Sequence, residues 1–125
     1  KHHDFSINVD KINGDQKINS IIVNNFYNLN GKEKKYDLTI SSTKVKNIIS
    51  KDSKGDPSIF ELIINVNYNV KKEGKTLIAN TINRTVTYNN ITDKFELENY
   101  EKTIINNLTK NISDKIINSI SEIYE

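Results

Sequence analysis

The chain has 125 residues, a formal net charge of +2 and 27% charged side chains. That length suits one domain with a single core, and the near-balance of charge argues against a nucleic-acid binder, which carries a basic surplus. Cysteine is absent, so disulfides and thiolate metal sites are excluded.

Apolar residues make up 35% of the chain and are concentrated in Ile, with Asn and Lys also abundant. The codon usage of an AT-rich gene explains that bias without any function. No stretch approaches the roughly 20 apolar residues of a membrane-spanning helix. There is no leader-like start and no methionine, so the chain is expected to begin partway into a longer product. His2 and His3 read as a tag remnant or a mobile terminus, because two adjacent imidazoles need further ligands to hold a metal.

In chain order, Phe5, Ile7 and Val9 alternate with Ser6, Asn8 and Asp10, which predicts a half-buried strand from His3 to Ile12. Asn13-Gly14-Asp15 breaks it, and Asp15 can cap a helix that follows. Ile18, Ile21, Ile22, Phe26 and Leu29 share one helical face from Gln16 to Leu29, with Gly31 placed as a left-handed terminator. After the charged linker Lys32 to Lys35, the residues Tyr36, Leu38 and Ile40 alternate again. The alternation falters from Ser41 to Lys44 and resumes through Val45, Asn47 and Ile49, which predicts one long strand with a bulge. Lys51 to Pro57 is a loop by its Gly, Pro, Asp and Ser content.

The third strand is the cleanest: Phe60, Leu62, Ile64, Val66, Tyr68 and Val70 lie on one face, opposite Glu61, Asn65, Asn67 and Asn69. Lys71 to Lys75 forms a hairpin turn. The fourth strand, Thr76 to Tyr88, carries Ile78, Ile82, Val86 and Tyr88 on one face, interrupted by Asn80 and Arg84. Asn89 to Asp93 turns the chain into a long helix that Thr92 or Asp93 can cap. Its apolar stripe is Leu97, Tyr100, Ile104, Leu108, Ile112, Ile116, Ile120 and Ile123. The order β-α-β-β-β-α predicts an α+β two-layer sandwich, with two helices packed on one face of a four-stranded mixed sheet, in a single domain over residues 1–125.

The residues offer little catalytic chemistry. The only histidines are terminal and the four glycines are scattered, so no metal-His site, Ser-His pair or phosphate loop is expected. Glu96, Glu98 and Glu101 read as solvated charge near a helix start rather than acid-base partners. Asn-x-Ser/Thr triplets at Asn83, Asn90, Asn107 and Asn111 are expected by chance in so Asn-rich a chain. No catalytic residue, metal or cofactor is expected, and the chain is read as not an enzyme. Phe60 and Tyr68 fall with the core residues of their strand, unlike the exposed aromatics of an RNA-binding sheet. Lysines gather at two connections: Lys44, Lys46, Lys51 and Lys54 at one, and Lys71, Lys72 and Lys75 at the other. They protect sheet edges or meet an anionic partner such as a phosphate. Arg84, the chain's one arginine, sits on an otherwise apolar strand face and reads first as a structural pair or an edge residue.

The run Gly74-Lys75-Thr76-Leu77-Ile78-Ala79-Asn80-Thr81, followed by Arg84 and Thr87-Tyr88-Asn89, resembles the segment before the last helix of the lipopolysaccharide-assembly lipoproteins of the LptE family, alphaproteobacterial type. The helix extends the likeness through Phe95, Glu98 and Asn107 to Ile116, and Phe5-Ser6-Ile7, Gly14-Asp15, Ile18-Asn19 and Tyr36-Asp37-Leu38 fit the earlier elements. The chain departs from the family pattern at Asn80, where Gly is common. It departs again in the last helix, where Ile, Asn and Thr replace small Ala residues, and it has no cysteine to carry a lipid.

The resemblance implies a non-catalytic subunit on the periplasmic face of the outer membrane, anchored by an N-terminal lipid that is not part of this sequence. Its expected partner is an LptD-like β-barrel, which it plugs and helps to assemble, and it is expected to bind lipopolysaccharide. Candidate lipopolysaccharide contacts are Lys46, Lys51, Lys54 and Arg84. The alternative is a free-standing periplasmic module that binds a small ligand or a protein, which calls for a deep apolar pocket between helix and sheet.

Overall fold

The alternation in the third strand does what it predicts: it builds the centre of a sheet. A computed structural model describes residues 4–124, in the order β1 (Phe5–Gly14), α1 (Gln16–Asn25), β2 (Lys34–Lys51), β3 (Pro57–Lys72), β4 (Lys75–Asn89) and α2 (Lys94–Tyr124). The expectation for His2 and His3 lies outside the described residues. The strands stand in the order β1-β2-β3-β4, with β1 parallel to β2 and the other pairs antiparallel. Both helices cover one face, so the architecture is the expected α+β sandwich on a mixed sheet.

The core lies between these layers. Phe60, Leu62, Ile64, Val66, Tyr68 and Val70 of β3 are all buried, and they meet Ile18 and Ile22 of α1 and Ile105, Ile112, Ile116 and Ile120 of α2. From β2 come Tyr36, Leu38 and Ile40, and from β4 Ile82 and Tyr88. The two helices also touch each other. Small polar residues on α2 allow the approach, and Asn25 Nδ2 donates to Ser113 Oγ at 2.8 Å.

Local chemistry sets the ends. Asp15 caps α1 by accepting from the Ile18 N–H at 3.0 Å, and Asp93 caps α2 by accepting from Phe95 and Glu96 N–H at 2.9 and 3.1 Å. Glu73 and Gly74 both take positive φ, which gives the two-residue β3–β4 hairpin the twist its strands need. Gly14 is required twice over: its φ is +103°, and a Cβ there would fall 1.9 Å from the Ser42 carbonyl oxygen.

Several details differ from the sequence expectation. β1 runs to Gly14, two residues beyond Ile12, with a register shift between Val9 and Lys11. α1 ends at Asn25 rather than Leu29; Phe26 and Leu29 still reach the core through a turn closed by Leu29 N–H to Phe26 O at 2.9 Å. Gly31 does not adopt a left-handed φ; it is needed because a Cβ would meet the Asp4 and Phe5 backbone at 2.2 Å. The irregularity in β2 falls between Ile48 and Lys51, not at Ser41 to Lys44. On α2, Tyr100 and Ile123 remain 45% and 38% exposed, while Leu97 and Tyr124 beyond them still pack against the core.

Candidate functional site

The four candidate cations do not form one site. Lys46 projects from the helix-covered face of β2. Its Nζ lies 2.8 Å from Glu101 Oε2 and 4.2 Å from the centre of the Phe60 ring. Glu101 also accepts the Tyr88 hydroxyl, and Tyr88 packs against Phe60 and Tyr100 at centroid distances of 5.7 and 5.8 Å. Burial, then the hydrogen bond and the charge of Glu101, push the Tyr88 phenol well above its ordinary range. Lys46 therefore ties β2 to α2.

Lys51 and Lys54 flank the β2–β3 connection. Asp52 organises this loop: its carboxylate accepts from Lys54 and Asp56 N–H at 2.9 and 3.0 Å, and its own N–H donates to the Asp56 carbonyl at 2.8 Å. Lys51 and Lys54 are exposed, but Asp52 and Asp56 cancel their charge. The tip carries no net positive field.

Arg84 lies on the helix-covered face of β4, opposite Ile64 in register. Ile64 is seven positions along β3 from Pro57, so Arg84 is roughly 20 Å or more from the tip lysines. Its Nε donates to Asn111 Oδ1 of α2 and its Nη1 to the Asn83 carbonyl oxygen, both at 2.9 Å. The expected structural tether is thus present, but to an amide and a carbonyl. No carboxylate pairs with Arg84 among the described residues. Arg84 borders a cleft of about 400 Å³ at the β4 edge, together with Tyr68, Asn80, Thr81, Ile82, Asn83, Lys115, Asn118, Ser119 and Glu122. Lys115 escaped the sequence reading. The signal for it is the one-turn spacing from Asn111, which matters only once Asn111 is known to hold Arg84.

The other face of the sheet is a second candidate surface. Four successive rows across β2, β3 and β4 carry no charged residue: Thr39–Asn69–Ala79, Ser41–Asn67–Thr81, Thr43–Asn65–Asn83 and Val45–Ile63–Thr85. Asn83 donates to Asn65 and Thr81 to Asn67 across the strands, so short neutral side chains bind one another and present a low-relief polar sheet. On these three strands charges return at the bounding rows, with Asp37 and Lys71 at one end and Glu61 at the other, while on β1 Lys11 pairs with Thr39. A further cleft of about 640 Å³, beside α1 and β1, is lined by residues such as Gln16, Asn19, Asn24 and Tyr27 and has no charged wall. Among the described residues no group of three or more His, Asp and Glu side chains is placed to hold a metal.

No protein-family model matches the chain, and no curated protein matches it. Solved structures do match in three dimensions. Rare lipoprotein B from Shewanella oneidensis superposes with a TM-score of 0.71 at 14% identity, over 96% of this chain and 95% of that one. Lipoprotein B from Nitrosomonas europaea gives 0.66 at 14% identity, over 98% and 88%. A lipoprotein from Caulobacter crescentus gives 0.61 at 12% identity, over 93% and 89%. At these identities the likeness is one of fold. The fold of this chain is that of a group of Gram-negative bacterial lipoproteins, matched nearly end to end.

Proposed function

We propose that the chain is the folded domain of a lipid-anchored envelope protein that seats against the inside of an LptD-like β-barrel and supports lipopolysaccharide assembly at the periplasmic face of the outer membrane. The observation that carries this reading is the end-to-end fold match with rare lipoprotein B, in which neither chain has a large unmatched part. The sequence resemblance over β4 and α2 points the same way. The four uncharged rows on the outer face of β2, β3 and β4 suit it physically, because a wide barrel has a polar, water-filled interior. The interior between helices and sheet is filled by side chains such as Ile64, Val66, Ile112 and Ile116, all fully buried, which leaves a small-ligand module without its deep apolar pocket. Binding and positioning are the roles supported, and the chain is proposed not to act as an enzyme.

The test is copurification of the full-length protein with the LptD-like barrel from its own envelope. The expected result is a stable complex that is lost when charge is placed on the neutral face, as in N67K/N83K, while the variant keeps its fold by circular dichroism. A full-length protein that never associates with such a barrel would overturn the proposal. For the lipopolysaccharide contacts, binding unchanged in K51A/K54A/R84A would remove those three residues from the site.

A further inference from the structure

The cleft beside α1 and β1 sets uncharged polar groups around an exposed aromatic ring. Gln16, Ser20, Asn24 and Tyr27 follow one another at spacings of three or four along α1 and the turn after it, so they share one face. Ile12, Asn13 and Gly14, at the end of β1, form the facing wall. None of the lining residues is charged, in a chain where 27% of residues are. The adjacent acid, Asp15, is committed elsewhere: its carboxylate caps α1 at 3.0 Å and pairs with Lys44 at 3.8 Å.

The walls are fixed, and the groups they present are unused. Asn19 is buried; its Nδ2 donates to the Asn13 carbonyl at 3.1 Å and its Oδ1 accepts the Ser42 hydroxyl at 2.7 Å, which ties α1 to the end of β1. The side chains of Asn13, Gln16, Ser20 and Asn24, by contrast, are exposed and have no hydrogen-bond partner among the described residues. Each of them can donate and accept. Tyr27 is 74% exposed, so its ring contributes little to the core and stands beside these groups as an open platform. Ile12 and Val23 add an apolar strip to the lining.

We propose that this cleft is a binding site for a neutral saccharide, stacked on Tyr27 with its hydroxyls on the amides of Asn13, Gln16 and Asn24. A sugar hydroxyl both donates and accepts, as a side-chain amide does, so the two match without net charge on either side. The C–H face of a sugar ring carries the slight positive charge that the negative face of an aromatic ring attracts. An ionic ligand would find no counter-charge in the lining. The volume of about 640 Å³ falls within the range of small-ligand sites, about 300–1,000 Å³. This goes beyond the barrel reading, because the cleft lies on the helix side of the molecule and not on the neutral outer face of the sheet.

The experiment is a two-dimensional 15N–1H titration of the 125-residue chain with chitotetraose, the neutral tetramer of N-acetylglucosamine, and with cellotetraose, which lacks the acetamido groups. Saturable shifts are expected at the side-chain amides of Asn13, Gln16 and Asn24. Tighter binding of chitotetraose shows that the acetamido groups are read as well; equal binding shows that the rings and hydroxyls suffice. Y27A should weaken binding about tenfold, the loss of one aromatic contact, while Y27F, which keeps the ring, stays within about twofold. N24A should weaken it about threefold, and K94Q, at the start of α2, should not change it. Tyr27 and Asn24 are both exposed, so these variants leave the core intact. Shifts that do not saturate with either tetrasaccharide, that glycerol reproduces equally, or that persist at full affinity in Y27A would overturn the proposal. Barrel copurification by Y27A is expected to be unchanged, so the two readings fail separately.

Discussion

Tyr36 to Ser42 and Thr43 to Lys51 belong to one strand but occupy different environments. In the first half, Tyr36, Leu38, Ile40 and Ser42 are buried, β1 pairs along the edge, and the helices cover the face. In the second half, Val45, Ile48 and Ile49 are 44%, 50% and 52% exposed, and the strand is held by the ladder to β3, the reach of Lys46 to Glu101, the Lys44–Asp15 ion pair at 3.8 Å and the Asn47–Glu61 hydrogen bond. The change comes where β1 ends, at the pairing of Gly14 with Ser42. Strand pairing thus extends well past the point where the second layer stops. Removing Leu38, which is fully buried, should therefore be the most damaging change in β2. L38A is expected to cost about 3 kcal/mol in urea unfolding, and I48A about 0.5 kcal/mol or less. Equal costs would break the comparison.

Tyr88 joins the covered and uncovered regions, being buried itself while bonding Glu101, the partner of Lys46. Y88F keeps the ring stack and removes the hydroxyl, and is expected to cost about 1–2 kcal/mol. It should also change the alkaline limb of stability. The folded-state pKa of Tyr88 is raised above its unfolded value, so above about pH 10 the unfolded chain loses the proton while the folded chain keeps it. Stability then falls as pH rises above that value. Tyr36 and Tyr124 are raised in the same direction and contribute to the fall. The slope of unfolding free energy against pH above pH 10 should be shallower in Y88F; an unchanged slope would separate Tyr88 from this linkage.

How much of this was legible in the sequence depends on which interactions carried the signal. The β3 alternation and the β4 face with its Arg84 interruption were readable because period-two patterning records burial directly. The faltering of β2 at Ser41 to Lys44 was visible too, but it marks the end of cover rather than a bulge: Ser42 is buried and accepts the Asp15 N–H through its hydroxyl at 3.1 Å, while Lys44 is exposed. Nothing local distinguishes those causes. The candidate site was legible only in part. Arg84 broke a pattern; Lys115 broke none, since a lysine on an exposed helix face is ordinary. Lys46 looked equivalent to Lys51 and Lys54 until Glu101, 55 positions along the chain from it, was seen to pair with it.

Thr109 tests the helix layer over the covered half. It is fully buried on α2 and, among the described residues, its hydroxyl has no hydrogen-bond partner. Valine has nearly the same shape and no group to desolvate, so T109V should stabilise the chain by about 1 kcal/mol. A loss of stability on this substitution would place an unseen partner, such as a buried water, beside the hydroxyl.

The smallest expected effect tests the open half itself. The Lys46 side chain is 41% exposed, so water screens its pairing with Glu101. K46Q is expected to cost only about 0.5 kcal/mol at low ionic strength. Two attractions act on the same ammonium, the Glu101 carboxylate at 2.8 Å and the Phe60 ring at 4.2 Å, and salt and packing separate them. In 1 M salt, where the screening length is about 3 Å, the ion-pair part should shrink. K46M keeps an apolar stem over Phe60 and should recover whatever share of the loss was packing rather than charge. If K46Q instead cost as much as Y88F and its cost ignored salt, Lys46 would be acting as a buried tether. The second half of β2 would then be as firmly held as the first.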